Sequence, residues 1–128
     1  MTEAANDGGK AAAAALLTLV EATLEEGHAE NVIVIDLTGK STIADSMVVA
    51  SGRSPRHIAA LAERLIAAIK KAGYGPPGVE GLARCDWVLI DAGDVIVHVF
   101  RPEVRAFYNL EKMWAVALPD GHGAAVAT

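Results

Sequence analysis

The clearest periodicity in the chain lies between Pro55 and Lys71. Ile58, Leu61, Ala62, Leu65, Ile66 and Ile69 recur every three or four positions and form one stripe of a helix. Ser54 suits the N-cap and Pro55 the first helical position, where a missing N–H costs nothing. Lys70 and Lys71 fall in the last turn, where the helix dipole favours cations, and Gly73 ends the segment. From Ala11 onward Leu16, Leu17, Val20 and Leu24 repeat the helical spacing, with Glu21 and Glu25 between them and Gly27 as the stop. Val32 to Ile35 is a continuous β-branched run bounded by Asn31 and Asp36, and it reads as a buried strand. Thr38-Gly39-Lys40-Ser41 reads as a turn and Met47 to Ala50 as a second strand. Val79-Glu80, after the rigid Gly75-Pro76-Pro77-Gly78 connector, suits a short edge strand. Arg101-Pro102 opens a last helical stretch that runs to about Met113.

Trp87 to Asp91 and Val95 to Phe100 form a hairpin across Asp91-Ala92-Gly93-Asp94. With the loop centred on Ala92-Gly93, Trp87 lies opposite His98, Leu89 opposite Ile96 and Ile90 opposite Val95. Side chains alternate along a strand, so Val88, Ile90, Val95, Val97 and Val99 share one wholly aliphatic face. Trp87, Leu89, Asp91, Ile96, His98 and Phe100 share the other. That second face mixes large apolar bodies with polar handles, as a docking surface does, and aromatic anchors are where interface energy concentrates. The same composition equally fits a second core face beneath the N-terminal helix.

Composition narrows the function. A chain of 128 residues makes one domain with a core of its own. Ala supplies 25 of them, so the 52% hydrophobic content overstates the volume available for packing. A net charge of −5 disfavours broad binding to phosphate backbones and suits a basic protein partner. The lone Cys85 has no disulfide or metal-ligand mate, which fits a reducing compartment. No apolar run reaches the ~18 residues of a membrane span, and no signal peptide is evident, so the expected location is the cytoplasm.

Chemical motifs are sparse. Gly52-Arg53-Ser54 resembles an anion-binding turn, but Gly39-Lys40-Ser41 lacks the upstream glycine of a P-loop and there is no GxGxxG. Asp36, Asp45, Asp91 and Asp94 could hold a metal ion only if two shared one strand face closely, and no Asp-x-Asp or Asp-x-Glu falls on an expected strand. The four histidines, His28, His57, His98 and His122, make no close ligand pair, and no GxSxG elbow occurs. Catalytic residues, cofactors and metals are therefore not expected.

An ordered set of segments resembles the ribosomal silencing factor (Iojap-like) family. They run from Asp36 to Asp45 (DLTGKSTIAD) and Ala50 to His57 (ASGRSPRH), through Glu80-Gly81, Asp86 to Asp91 (DWVLID) and Gly93 to Phe100 (GDVIVHVF), to Arg105 to Trp114 (RAFYNLEKMW). The resemblance covers about residues 12–115; Pro55 stands where the family often has another polar residue. It implies a single-domain α/β fold, a mixed sheet of about five strands packed with helices and nucleotidyltransferase-like, over residues 10–118, with flexible tails at 1–9 and 119–128. It also implies a homodimer that binds a large-subunit ribosomal protein, the fourteenth of that series, on the intersubunit face. There it would block subunit association and repress translation, with a link to large-subunit biogenesis. Fold ancestry does not carry transferase activity with it. Partner binding is assigned to Trp87 as apolar anchor, with Asp91, His98 and Phe100 beside it. Glu80, Tyr108 and Glu111 join them because the family shares these residues, although core or cap roles fit them equally. The competing readings are a nucleotidyltransferase-like metal-dependent enzyme and a non-ribosomal protein adaptor.

Overall fold

The computed structural model describes residues 2–39, 42 and 44–108, with side chains placed between residues 11 and 106 of these. The N-terminal helix α1 spans Thr2–Glu26, so it extends back well before Ala11. Strands β1 (Glu30–Asp36) and β2 (Ser46–Ser51) follow, then helix α2 (Pro55–Lys71). Strands β3 (Gly78–Glu80), β4 (Trp87–Asp91) and β5 (Val95–Phe100) and helix α3 (Pro102–Tyr108) complete the described chain. The expected continuation of the last helix to Met113, together with Glu111, lies outside the described residues.

Helix α2 forms where the stripe predicts it. The Ser54 hydroxyl accepts the His57 N–H at 3.1 Å, satisfying one of the donors that a helix start leaves free. Ile58, Leu61, Ala62, Leu65 and Ile69 are buried, while Ile66 is half-buried at the margin. Each fully buried Leu or Ile here contributes roughly 1.5–3 kcal/mol. His57 ties the two long helices together: one ring nitrogen accepts the Arg53 N–H at 2.9 Å, and Nε2–H donates to Gly27 O at 2.8 Å.

The five strands lie in the order β1-β2-β5-β4-β3. β2 and β5 run parallel at the centre, and the other neighbours are antiparallel. The sheet is thus mixed, as the resemblance implies. Helices α1 and α2 cover one face, where Leu16, Val20 and Leu24 meet Val48, Val88, Val97 and Val99. The opposite face gathers Leu37, Met47, Val49 and Phe100, with Trp87, Ile96 and Val104 of α3 packed against them. The Trp87 face therefore does not lie beneath the N-terminal helix.

Two expectations are corrected. The β1 run reads as a buried strand but forms the outermost strand, with Val32, Ile33 and Val34 exposed at 37%, 40% and 38%. A continuous apolar run cannot distinguish a strand covered on both sides from one at a margin. The hairpin register is also displaced: Trp87 pairs with Phe100, Leu89 with His98, Ile90 with Val97 and Asp91 with Ile96. The turn centres on Gly93-Asp94, closed by Ala92 N–H to Val95 O at 3.0 Å, and Gly93 takes a φ of 91° there. An even-length turn in either position preserves which side chains share a face, so the facing assignment stands. Asp94 O also accepts N–H groups from Asp45 and Ser46, which seats β2 beside β5.

Candidate binding cleft at Trp87

Trp87 begins β4, and the turn before it determines what surrounds it. Gly81 has a φ of 92°, and a Cβ on it would collide with Trp87 O, so only glycine lets the chain from β3 pass this close. Glu80 is exposed in β3 and pairs with Leu89. Asp86 accepts from Arg101 Nη1 at 3.2 Å, and Arg101 Nη2 reaches Glu103 Oε2 at 3.1 Å. The hydrogen bond to Asp86, then the charge of Glu103, raise the Arg101 pKa, so this cation stays charged throughout. Arg101 N–H further donates to Asp86 O at 3.0 Å, closing the end of the hairpin.

The indole is half-buried and held by two neighbouring rings. Nε1–H donates to His98 Nδ1 at 3.0 Å. The Phe100 ring lies 4.9 Å away at 56°, a tilted contact favourable for aromatic quadrupoles. His98 stacks on Phe100 at 5.8 Å and 15°. His98 is 8% exposed, and burial lowers its pKa from 6.5 to about 4. At neutral pH the ring is uncharged, Nδ1 accepts, and the proton sits on Nε2.

An open cleft of about 740 Å³ lies beside the indole, bounded by Gly81, Arg84, Asp86, Glu103 and Val104. Its floor is apolar and its rim carries both signs of charge. The first turn of α3 supplies Glu103 and Val104, and Arg105 anchors that helix. Arg105 is buried, and its Nη1 donates to Asn31 O at 2.7 Å and Ser51 Oγ at 2.9 Å.

The site residues expected from sequence divide accordingly. Trp87 faces the cleft. His98 and Phe100 share its sheet face, but Phe100 is 0% exposed and His98 nearly as buried, so neither is an open contact. In the structure both pack against the indole from β5, the central strand. Asp91 is exposed at the far end of β4, where Oδ1 accepts the Gly93 N–H at 2.9 Å and stabilises the turn. Tyr108 ends α3, and Glu111 is outside the described residues. Arg84, Glu103 and Val104 were not foreseen as cleft residues. The Arg101-Pro102 pair announces the helix of Glu103 and Val104, but nothing local states which way it folds back.

Among the described residues no three His, Cys, Asp or Glu side chains gather as a metal ion would require, and no helix is long and apolar enough to cross a membrane. These features define a small α/β domain with an open, aromatic-floored cleft. The profile of the family "Ribosomal silencing factor during starvation" matches residues 10–125, and the chain belongs to that family. The ribosomal silencing factor RsfS of Zymomonas mobilis is 54% identical over 77% of this chain and 74% of its own. That of Haemophilus influenzae is 39% identical over 79% of this chain and 99% of its own. The mouse protein named for mitochondrial assembly of the ribosomal large subunit is 30% identical, over 87% of this chain and 50% of its own. A crystal structure of a Chromobacterium violaceum protein superposes with a TM-score of 0.76 at 37% identity, covering 78% of this chain and 83% of that one.

Proposed function

We propose that this chain docks on a protein of the large ribosomal subunit through the Trp87 cleft and, from the intersubunit side, prevents the small subunit from joining. The observation that carries this reading is the half-buried indole, fixed by His98 and Phe100 at the floor of an open cleft. A rigid aromatic surface gives up little conformational entropy on binding, so more of its contact energy appears as affinity. The mixed charges of Arg84, Asp86 and Glu103 supply a polar rim, and a net charge of −5 favours a basic partner. The names of the relatives support a ribosomal role, and the mouse relative's name supports an association with the large subunit.

The mechanism is occupancy without catalysis. A folded domain seated on one contact area excludes the surface that must meet it, and its effect scales with concentration over Kd. The working unit is the domain of residues 10–118, acting in the cytoplasm, with self-association as a further property. Glu80 stands on the strand beside Trp87 and is the next contact to test, with Tyr108 and Glu111 after it.

The deciding experiment mixes purified subunits with the protein and follows joining by light scattering and sedimentation. Co-sedimentation with the large subunit and a dose-dependent fall in joined particles are expected. Joining at the control rate with a saturating excess of protein would sink the reading.

A further inference from the structure

Arg101 stands where β5 gives way to α3, one residue past the pairing of Trp87 with Phe100. Its backbone N–H donates to Asp86 O at 3.0 Å, and that clasp does not depend on the side chain. The guanidinium makes a second connection. Nη1 donates to Asp86 Oδ1 at 3.2 Å and Nη2 to Glu103 Oε2 at 3.1 Å. Asp86 and Glu103 both line the Trp87 cleft, one from the approach to β4 and the other from α3, whereas Arg101 does not line it. The cation therefore sits behind the rim and spans two segments that form it.

The chemistry of this group suits the span. The two Nη atoms belong to one rigid fork, so a single side chain holds two carboxylates at a set separation. Arg84 does not duplicate it: its side chain is 87% exposed, and its Nε lies 3.8 Å from Asp86 Oδ2, beyond hydrogen-bonding reach. Without Arg101, two carboxylates would stand beside the indole with little compensation. The Asp86 side chain is already only 33% exposed, and a partner seated over the cleft removes more of its water. A carboxylate stripped of water with no counter-charge weakens an interface heavily, while one already paired does not.

We infer that Arg101 is a positioning residue for docking: it joins two walls of the cleft and neutralises Asp86 and Glu103, so that an apolar partner surface can close over Trp87. The role presupposes docking through the Trp87 cleft and adds to it a residue that need not touch the partner. It also narrows what the partner must supply. Asp86 is satisfied from within the chain, so the partner needs an apolar surface there and no cation of its own. Glu103, 65% exposed, keeps room for a positive charge of the partner at the other wall. Exposed ion pairs add little to folding, so the effect of this network belongs in binding and not in melting.

The test is sedimentation binding of purified large ribosomal subunits to variants of the full chain at constant salt. Arg101→Gln is expected to weaken binding about tenfold, with thermal unfolding unchanged. Arg101→Lys restores the charge without the fork and is expected to recover part of the loss. The deciding variant combines Arg101→Gln with Asp86→Asn. Removing the carboxylate removes the need for its counter-charge, so the double variant is expected to bind more tightly than Arg101→Gln alone. Direct contact between Arg101 and the partner predicts no such recovery, and a purely structural role predicts a matching loss in thermal unfolding. Either result, or wild-type binding by Arg101→Gln, would overturn the inference. A reading without ribosomes is the Nε1–H cross-peak of Trp87 in nuclear magnetic resonance, identified by its loss in Trp87→Phe. It is expected to move in Arg101→Gln and to return toward its original position in the double variant. A peak that does not move overturns the inference as well. Failure of the native protein to bind large subunits would instead sink the docking reading, and the indole signal would still decide whether Arg101 holds the cleft.

Discussion

The docking proposed for Trp87 draws on His98, which accepts the indole N–H. An indole N–H buried beneath a partner without an acceptor would carry an unmet desolvation cost of roughly 1–3 kcal/mol. The 3.0 Å bond to His98 removes that cost before any partner arrives. Trp87→Glu puts a carboxylate where the partner needs an apolar surface, and is expected to weaken large-subunit binding at least 30-fold, about 2 kcal/mol. Co-sedimentation measures this, with thermal unfolding run alongside to separate lost docking from lost folding. The burial of His98 makes stability depend on acid. The folded pKa of His98, about 4, lies below its ordinary 6.5, so the unfolded chain binds a proton more readily. Stability from this group is complete above pH 6.5 and falls as pH drops toward 4, by up to about 3 kcal/mol. Urea unfolding across that window should show the slope in the native protein and lose it in His98→Leu, whatever the latter's absolute stability.

At the level of elements, the turn between β3 and β4 governs the cleft. Gly81→Ala adds a Cβ that meets Trp87 O and forces a left-handed backbone on a residue that resists it. The expected outcome is a loss of at least about 1 kcal/mol and altered tryptophan fluorescence, because β4 must shift where Trp87 begins it. Much of this architecture is legible in the chain. The stripe from Ile58 to Ile69, the Ser54 cap and the alternation of the last hairpin are local patterns, and each reappears in the fold. Non-local pairing is not legible in this way. The hairpin turn moved from Ala92-Gly93 to Gly93-Asp94 because Asp91 caps the Gly93 N–H, while the even count kept the faces intact. The exposure of β1 depends on strand order, which no segment of it encodes. Arg105 is buried against Asn31 and Ser51, residues more than fifty positions earlier, and no local pattern encodes that contact. For the candidate site, alternation correctly placed Trp87, His98 and Phe100 together, but only packing reveals that two of the three are supports.

On the scale of the whole molecule, the layout separates tasks. Helices α1 and α2 fill one face with aliphatic core, leaving the other for α3, the aromatic cluster and the cleft. Under the proposed function, inhibition by occupancy would require only affinity and abundance, so half-maximal blocking of subunit joining should track the measured Kd of each cleft variant. A variant that binds normally but no longer blocks would separate attachment from obstruction.

The parallel pairing of β2 with β5 bears on how the chain acquires its shape. Ser46 must wait for Val95, and Ser51 for Phe100, so the middle of the sheet is contributed by the last of the described strands. A polypeptide still growing on its own ribosome has helices to form but nothing to seat β1 and β2 against until that late strand emerges, and pairings of such long sequence separation form slowly. A fragment ending before Val95 should accordingly keep helical circular dichroism yet show no cooperative melting. The domain thus matures almost all at once, after β5 has been made.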